Sequence, residues 1–430
     1  MSPSRAYDKA LEDWLTLRAR THADHPAVTV GGWTRTYAEL DADVGRMAEG
    51  VADGTAHVDA RPEPAFVQTL HAARRVGAVL VPGDPRETDA EAERRRAAVE
   101  RLPLPDEAQT VLFTSGTSGG AKPVVLTRQN HDASAIASAW NIGVDPDDRW
   151  LCVLPLHHVG GLSILLRSAM YGTTAVLHER FDPGTVIRAV EAGEVTLVSL
   201  VPTMLRRLRA AGMPGPGALR AVLLGGGPVP RDLLEWATQI GLPVLQTYGM
   251  TETASQIATL RAEEAVSHHG SAGRPLLGVE LSIDPGGEIL VRGPMVAAGA
   301  VASDGWLHTG DRGHLDEDGF LHVEGRIDDV IVTGGENVAA VEVEDALLSH
   351  AAVADAAVAG LPDPEWGEAI TAWVVLATHV PDAELAAHCR ARLASHKVPK
   401  AFVRVDELPR NAAGKLLRRR LGEQSATSST

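Results

Sequence analysis

Four short apolar runs confine what this chain can fold into. WLCVLP (150–155), TAVL (174–177), VTLVSLVP (195–202) and RAVLLGGG (220–227) are each about one strand long and are separated by stretches of helical period. None shows the regular polar alternation of a strand with one wet face. Such runs belong to strands buried on both sides, and strands of that kind joined by helices build a parallel sheet with helices over both faces. The same alternation starts earlier, with a helical stretch over 8–20, AVTV from Ala27, helical stretches after Thr36 and over 68–76, and then GAVLVP (77–82). The reading is an α/β fold whose large N-terminal domain holds helix-covered, mostly parallel sheets.

After Ser271 the texture changes to short strands and glycine-rich turns, VELSI, EILVRG, GWLHTGD and GFLHVEGR, which predict a small β-rich subdomain. Downstream of Asp328 come VIVT, a helix over 341–349, the strands VADAAVAG and AITAWVVL, a helix over 383–394 and a strand at AFVRV. That order predicts a compact C-terminal α+β domain. The expected division is 1–327, 328–424 and a polar, disordered tail over 425–430.

Composition narrows the function. Lys and Arg number 40 against 56 Asp and Glu, a net charge of −16, which argues against a general grip on nucleic acid. Cys152 and Cys389 lie far apart without CxxC spacing, so neither a disulfide framework nor a zinc site is implied. No basic start leads into an apolar run, and no apolar stretch of about 18 residues occurs. The expectation is a cytoplasmic protein without stable membrane insertion; its oligomeric state stays open, a homo-oligomer included.

The segment over 110–128, TVLFTSGTSGGAKPVVLTR, joins a strand to a loop rich in glycine and hydroxyl groups and ending in a lysine. Glycines let backbone N–H groups approach phosphate oxygens, while Thr114, Ser115, Thr117 and Ser118 add donors and Lys122 a cation. The Walker pattern GxxxxGK[ST] is absent, and a plain surface loop is the structural alternative. Four further segments follow: QTYGMTETASQ from Gln246, GWLHTGD from Gly305, GRIDDVIVTGGENV from Gly325 and LPRNAAGKLLRRRL from Leu408. In this order the five segments resemble the signature set of the adenylate-forming superfamily of acyl-CoA synthetases, adenylation domains and luciferases. TYAEL (36–40) and GAVLVP match early family segments as well.

The resemblance implies ATP, Mg²⁺ and CoA as the small molecules used, and a C-terminal domain that moves between two half-reactions. It implies a nucleotide site of Thr114, Ser115, Gly116, Thr117, Ser118, Gly119, Gly225, Gly226, Gly227, Tyr248, Gly249, Met250, Thr251, Asp311 and Arg326. Tyr248 would stack on adenine, Asp311 would accept both ribose hydroxyls, and Glu252 would be the Mg²⁺ ligand. Lys415 would be the lysine that stabilises charge during carboxylate attack on the α-phosphate, assisted by Lys122 and His158. Asp328 would be the hinge, and Gly334, Gly335 and Glu336 would face the CoA thiol. A core tyrosine, a capping glutamate, a turn aspartate and a solvated lysine are the structural alternatives for these positions.

The segment over 154–183 and the stretch DALLSHAAVADAAVAGLPDPEWGE resemble o-succinylbenzoate–CoA ligases of menaquinone biosynthesis, with His157 where most relatives have an aromatic residue. A substrate with a second carboxylate needs a cation or several donors in the acyl pocket. Arg167 is the first candidate, with His158, Thr253, Ser255 and Gln256 beside it; a solvated Arg167 is the alternative. A ligase for another aryl or medium-chain acid, an enzyme that loads a carrier protein, and a degenerate nucleotide-binding regulator stay open as readings.

Overall fold

In the computed structural model, which describes residues 13–51, 54–114, 122–227, 229–265, 267–268, 270–410 and 416–422, the four apolar runs are neighbours in a nine-stranded sheet. From edge to edge its strands are Arg274–Pro275, Ser255–Thr259, Val244–Met250, Ala221–Leu224, Leu197–Leu200, Arg149–Cys152, Thr174–Leu177, Pro26–Val30 and Trp33–Thr36. The strands from Val244–Met250 to Pro26–Val30 are parallel, and both edges are antiparallel.

Alternate residues of these strands feed two cores. Trp150, Cys152, Leu197, Ala221 and Leu223 pack on one face with Leu162 and Leu165 of helix Val159–Tyr171. Leu151, Val198, Leu200, Val222 and Leu224 pack on the other face with Val186, Leu205 and Leu233. Both faces are dry, which explains why the runs lack polar alternation. One run is divided: the strand in VTLVSLVP ends at Leu200, and Pro202 opens helix Pro202–Ala210. Proline has no N–H to lose in a first helical turn, so the final dipeptide starts a helix instead of extending the strand. TYAEL begins a helix for an equally local reason: Thr36 and Glu39 cap Tyr37–Ala48 reciprocally.

A second sheet comprises Thr55–Asp59, Val79–Gly83 and Ala108–Thr114 in parallel, closed by Lys122–Thr127 antiparallel to the last. The expected β-rich unit is a four-stranded antiparallel sheet of Glu280–Ile283, Glu288–Arg292, Leu307–Leu315 and Leu321–Arg326. The C-terminal sheet orders Glu336–Ala339, Val330–Thr333, Gly367–Leu376 and Val353–Asp363, with Ala401–Arg404 parallel to Gly367–Leu376. Helices Ala340–Leu348 and Asp382–Arg390 cover it through Val343, Leu347 and Leu385. Arg206 Nη1 reaches from the first sheet's helices to Asp355 Oδ1 (3.2 Å) and the Ala354 carbonyl (3.1 Å) of this C-terminal unit. The expected tail over 425–430 lies outside the described residues. Among those described, no helix is long and apolar enough to cross a membrane.

Two histidines are sealed into the first domain. Burial holds His71 at about 4 and His131 at about 3, with the Arg74 cation opposing their protonation as well. Arg74 itself is fixed by Gln109 Oε1 (2.6 Å) and Asp132 Oδ1 (2.8 Å). Unfolding releases both imidazoles to their ordinary value near 6.5, so the unfolded chain binds more protons between that value and 4. Their contribution to stability is complete above pH 6.5 and is lost as pH falls through the folded values. Urea unfolding at pH 7.5, 6.5 and 5.5 should show the free energy dropping below pH 6.5, by up to about 1.4 kcal/mol per pH unit for each histidine. A flat profile from 7.5 to 5.5 would contradict the neutral assignment.

Candidate active site

From strand Arg149–Cys152 the chain moves to Thr174–Leu177 on one side, then crosses back to Leu197–Leu200 on the other. Open α/β sheets bind ligands outside the carboxyl ends of their strands at such a reversal. The loops at this edge carry His157 and His158 after Arg149–Cys152, Gly225, Gly226 and Gly227 after Ala221–Leu224, and the Thr251–Thr253 turn after Val244–Met250. Gly225 donates its N–H to the Leu200 carbonyl (3.2 Å), and a Cβ on it would meet Thr247 Cγ2 at 2.8 Å. The glycine there serves a close approach between neighbouring strands.

Three residues singled out from the sequence converge. Tyr248 donates its hydroxyl to Asp311 Oδ2 (2.6 Å), and Arg326 Nη1 donates to Asp311 Oδ1 (3.2 Å) and to the Thr309 carbonyl (2.9 Å). Asp311 and Arg326 are register partners on adjacent strands, so the ladder brings them together. Thr309 anchors the turn, its hydroxyl donating to the Ile289 carbonyl (2.7 Å) and accepting from Asp311 N (3.1 Å). Glu288 Oε1 accepts from Gly310 N (2.8 Å). Burial raises the Tyr248 hydroxyl well above the ordinary tyrosine range, and the Asp311 carboxylate pushes it in the same direction. The tyrosine is therefore a fixed donor to the Asp311 carboxyl group, whose remaining lone pairs stay available to a ligand's hydroxyls.

The following turn is tightly built. Thr253 Oγ1 accepts from Met250 N (3.1 Å) and lies 3.0 Å and 2.8 Å from the carbonyls of Met250 and Ser255. Ala254 and Ser255 have φ of 49° and 116°, in the region that favours glycine. A Cβ on Gly249 would stand 1.9 Å from the Ser255 carbonyl oxygen. Thr253, a candidate for the acyl pocket, has its hydroxyl committed within this turn. Glu252 is half-buried, its carbonyl accepts from Ala297 N (2.8 Å), and no ion pair engages its carboxylate among the described residues. Strand Lys122–Thr127, which follows the glycine-rich segment, packs beside the same turn. No cluster of three or more metal-ligating side chains exists among the described residues. A single carboxylate suits Mg²⁺ carried by phosphate oxygens, the usual mode for that ion, and does not suit an all-protein cage.

His158 precedes helix Val159–Tyr171 as its N-cap residue, and its Nε2 is buried without a partner among the described residues. His157 packs against it at 4.3 Å between ring centroids, with Nε2 3.6 Å from Asp84 Oδ2. Burial holds His157 at about 4 and lowers His158, so both rings are neutral at pH 7. Arg167, on the same helix, is only 3% exposed, which removes the solvated alternative. Its guanidinium lies 5.8 Å from the Trp150 ring centroid, Nη2 donates to Ser134 Oγ (3.2 Å), and Nε has no partner among the described residues. No carboxylate pairs with it among the described residues, and burial lowers its pKa from the ordinary arginine value. Ser134 Oγ donates onward to the Ala254 carbonyl (2.8 Å), and two residues further Gln256 is 4% exposed with both amide atoms unpartnered among the described residues. Ser134 carried no motif, and only its neighbours in space reveal it. Thr309, by contrast, sat unremarked inside GWLHTGD.

Thr114 pairs with Lys122 across the mouth of the 115–121 segment, where Lys122 is exposed. Gly334 and Gly335 form the two-residue tip joining Val330–Thr333 to Glu336–Ala339, with φ of 59° and 85° as a primed hairpin turn needs. Glu336 is exposed beside them, and Asp328 is exposed in the Ile327–Asp329 turn. The expected site residues Ser115, Gly116, Thr117, Ser118, Gly119 and Lys415 lie outside the described residues. Around Lys415 the flanking residues meet: Arg410 bridges Leu416, and Leu417 N donates to the Pro409 carbonyl (2.8 Å).

With this geometry in place, the family comparisons are decisive. The AMP-binding enzyme family matches residues 84–300, and the AMP-binding enzyme C-terminal domain matches 342–415. The chain belongs to this family, and it is an AMP-forming acid–CoA ligase that uses ATP, Mg²⁺ and CoA. It is 49% identical over 334 residues to the 2-succinylbenzoate–CoA ligase of Bacillus licheniformis, covering 74% of this chain and 70% of that one. The o-succinylbenzoate CoA synthetase of Bacillus subtilis in complex with the acyl-adenylate intermediate OSB-AMP superposes with a TM-score of 0.86 at 38% identity, covering 95% of this chain and 97% of that one. The same synthetase with ATP and magnesium ion gives 0.86 at 37%, covering 95% and 99%.

Asp311 holds both Tyr248 and Arg326, so its amide variant should disturb nucleotide binding more than removal of the tyrosine hydroxyl. Asp311→Asn should raise the KM for ATP roughly tenfold to a hundredfold, the scale of one or two hydrogen bonds to a charged group, and Tyr248→Phe by less. Steady-state kinetics with varied MgATP would check this; an unchanged KM in Asp311→Asn would remove the residue from the nucleotide site.

Proposed function

We propose that the chain is a 2-succinylbenzoate–CoA ligase, activating the acid as an acyl-adenylate with release of pyrophosphate and then transferring it to CoA with release of AMP. The observation that carries the choice of acid is Arg167, a buried guanidinium without a carboxylate partner among the described residues, linked through Ser134 to the strained turn before Gln256. A cation in that state is costly unless an anion joins it. A substrate with one carboxylate to activate and a second to neutralise supplies that anion. Gln256 would donate beside Arg167, while the neutral rings of His157 and His158 and the Ser255 segment would line the acyl path.

On this reading Tyr248 packs on adenine, Asp311 and Arg326 hold the ribose, and Gly225, Gly226 and Gly227 let the base lie against backbone. Thr114, Lys122 and the 115–119 segment, with Gly249, Met250 and Thr251, surround the phosphates, and Glu252 would hold the magnesium ion. That ion, when bound, neutralises phosphate charge. Lys415 then stabilises the developing charge on the α-phosphate during carboxylate attack. The domain boundary falls between 327 and 328. Rotation there withdraws Lys415 and presents Gly334, Gly335 and Glu336 to CoA. On this reading the enzyme works in the cytoplasm, where ATP and CoA are at hand.

Mass spectrometry of products formed from MgATP, CoA and 2-succinylbenzoate, beside benzoate, salicylate and octanoate, should show thioester and AMP with the first acid alone. Reaction of a different acid would overturn the substrate, and adenylate without thioester would point to a carrier-protein acceptor. Arg167→Gln should raise the KM for 2-succinylbenzoate about tenfold or more while leaving that for ATP unchanged. Equal KM values for the acid in both proteins would sink the assignment. Asp328→Pro should leave adenylate formation intact and slow thioester formation from preformed adenylate; equal loss of both would count against the hinge.

A further inference from the structure

The turn between the large domain and the C-terminal unit is held by an ion pair on each side. Before it, Arg326 is tied to Asp311 (3.2 Å) and to the Thr309 carbonyl (2.9 Å), so the last residue of strand Leu321–Arg326 belongs mechanically to the nucleotide site. After it, Asp329 Oδ2 accepts from Arg418 Nη1 (2.7 Å). That arginine is anchored in the C-terminal unit: Nη2 grips both oxygens of Glu344 (2.7 and 2.8 Å), and Nε donates to the Val358 carbonyl (3.2 Å). Glu344, 6% exposed, also accepts from Val358 N (2.8 Å), so helix Ala340–Leu348, strand Val353–Asp363 and Arg418 form one rigid cluster. Between the two anchors stand Ile327 and Asp328. Ile327 is 41% exposed, and Asp328 is exposed without a hydrogen bond or ion pair among the described residues.

We propose that the rotation between half-reactions is confined to residues 327 and 328 by these two brackets, and that Asp329 and Arg418 are positioning residues. Their pair makes the C-terminal unit turn as one body. Without the Asp329–Arg418 bond the pivot would lengthen into residue 329 and beyond. The inference rests on the two-step rotation described above.

A rescue experiment tests it. In Asp328→Pro the ring holds φ near −65°, the value of the present 3₁₀ turn, which blocks one of only two pivot residues. Adding Asp329→Asn frees residue 329 to take up the rotation. The double variant should recover thioester formation from preformed acyl-adenylate by about tenfold over Asp328→Pro alone, the scale of one hydrogen bond between charged groups. Asp329→Asn by itself should melt within a few degrees of the parent, because Arg418 keeps Glu344. Arg418→Lys retains the cation near Glu344 but loses the fork to Asp329; combined with Asp328→Pro it should give the same recovery, and it carries the test if Asp329→Asn folds poorly. Recovery of thioester formation, with the adenylation rate unchanged, supports the brackets; a purely structural role for the pair would add damage instead. If Asp328→Pro slows thioester formation and neither second substitution restores it, the brackets do not limit the pivot. If Asp328→Pro has no selective effect, the rotation itself is overturned and the brackets with it.

Discussion

Asp311 is where three parts of the molecule meet. Its carboxylate accepts from Tyr248, on a strand of the nine-stranded sheet, and from Arg326, the last residue before the Ile327–Asp329 turn, while it sits on the antiparallel four-stranded sheet itself. Each contact is modest in isolation. Together they fix the relative placement of the large sheet, the β-rich unit and the start of the C-terminal unit. A nucleotide whose ribose binds at this carboxylate would thus be bound at the structural joint of the enzyme, so occupancy and domain geometry are read by the same group.

The sheet topology supplies the rest. The strands before and after the reversal feed alternate side chains into two cores, and that double burial leaves their carboxyl ends as the place where loops can vary without cost to either core. His157 and His158, the triple glycine and the Thr251–Thr253 turn all occupy those ends. Burial keeps both histidine rings neutral, so on the proposed function they would add no positive charge to the acyl path, and the cation would come from Arg167, well along its helix from the edge.

Much of this was legible in one dimension because the determinants are local. Two-sided burial leaves apolar runs, capping leaves Thr36 with Glu39, and the nucleotide segments keep their residues within a few positions of one another. What was not legible depends on residues distant in sequence. Helical spacing places Arg167 about two and a half turns from His158 but says nothing of Trp150 and Ser134, which bury it. Arg418 and Asp329 are separated by 89 positions and share no motif. Val201 and Pro202 read as strand because the run is apolar throughout, and only the competition between sheet pairing and a proline-initiated helix decides the boundary.

The backward-turned backbone at Ala254 and Ser255 has a consequence for any effort to improve this protein. Two non-glycine residues held at positive φ cost of order 1–3 kcal/mol each, and a change to glycine at either would relieve that cost. Such a change would score well in a screen for thermal robustness. It would also loosen the turn that joins Glu252 to Gln256, and with it, on the proposed function, the fixed distance between the residue that would hold the magnesium ion and the residue that would meet the acid. Selection for ruggedness and selection for turnover therefore pull this turn in opposite directions, and a hardened variant found by melting temperature alone would be enriched for poorer catalysts.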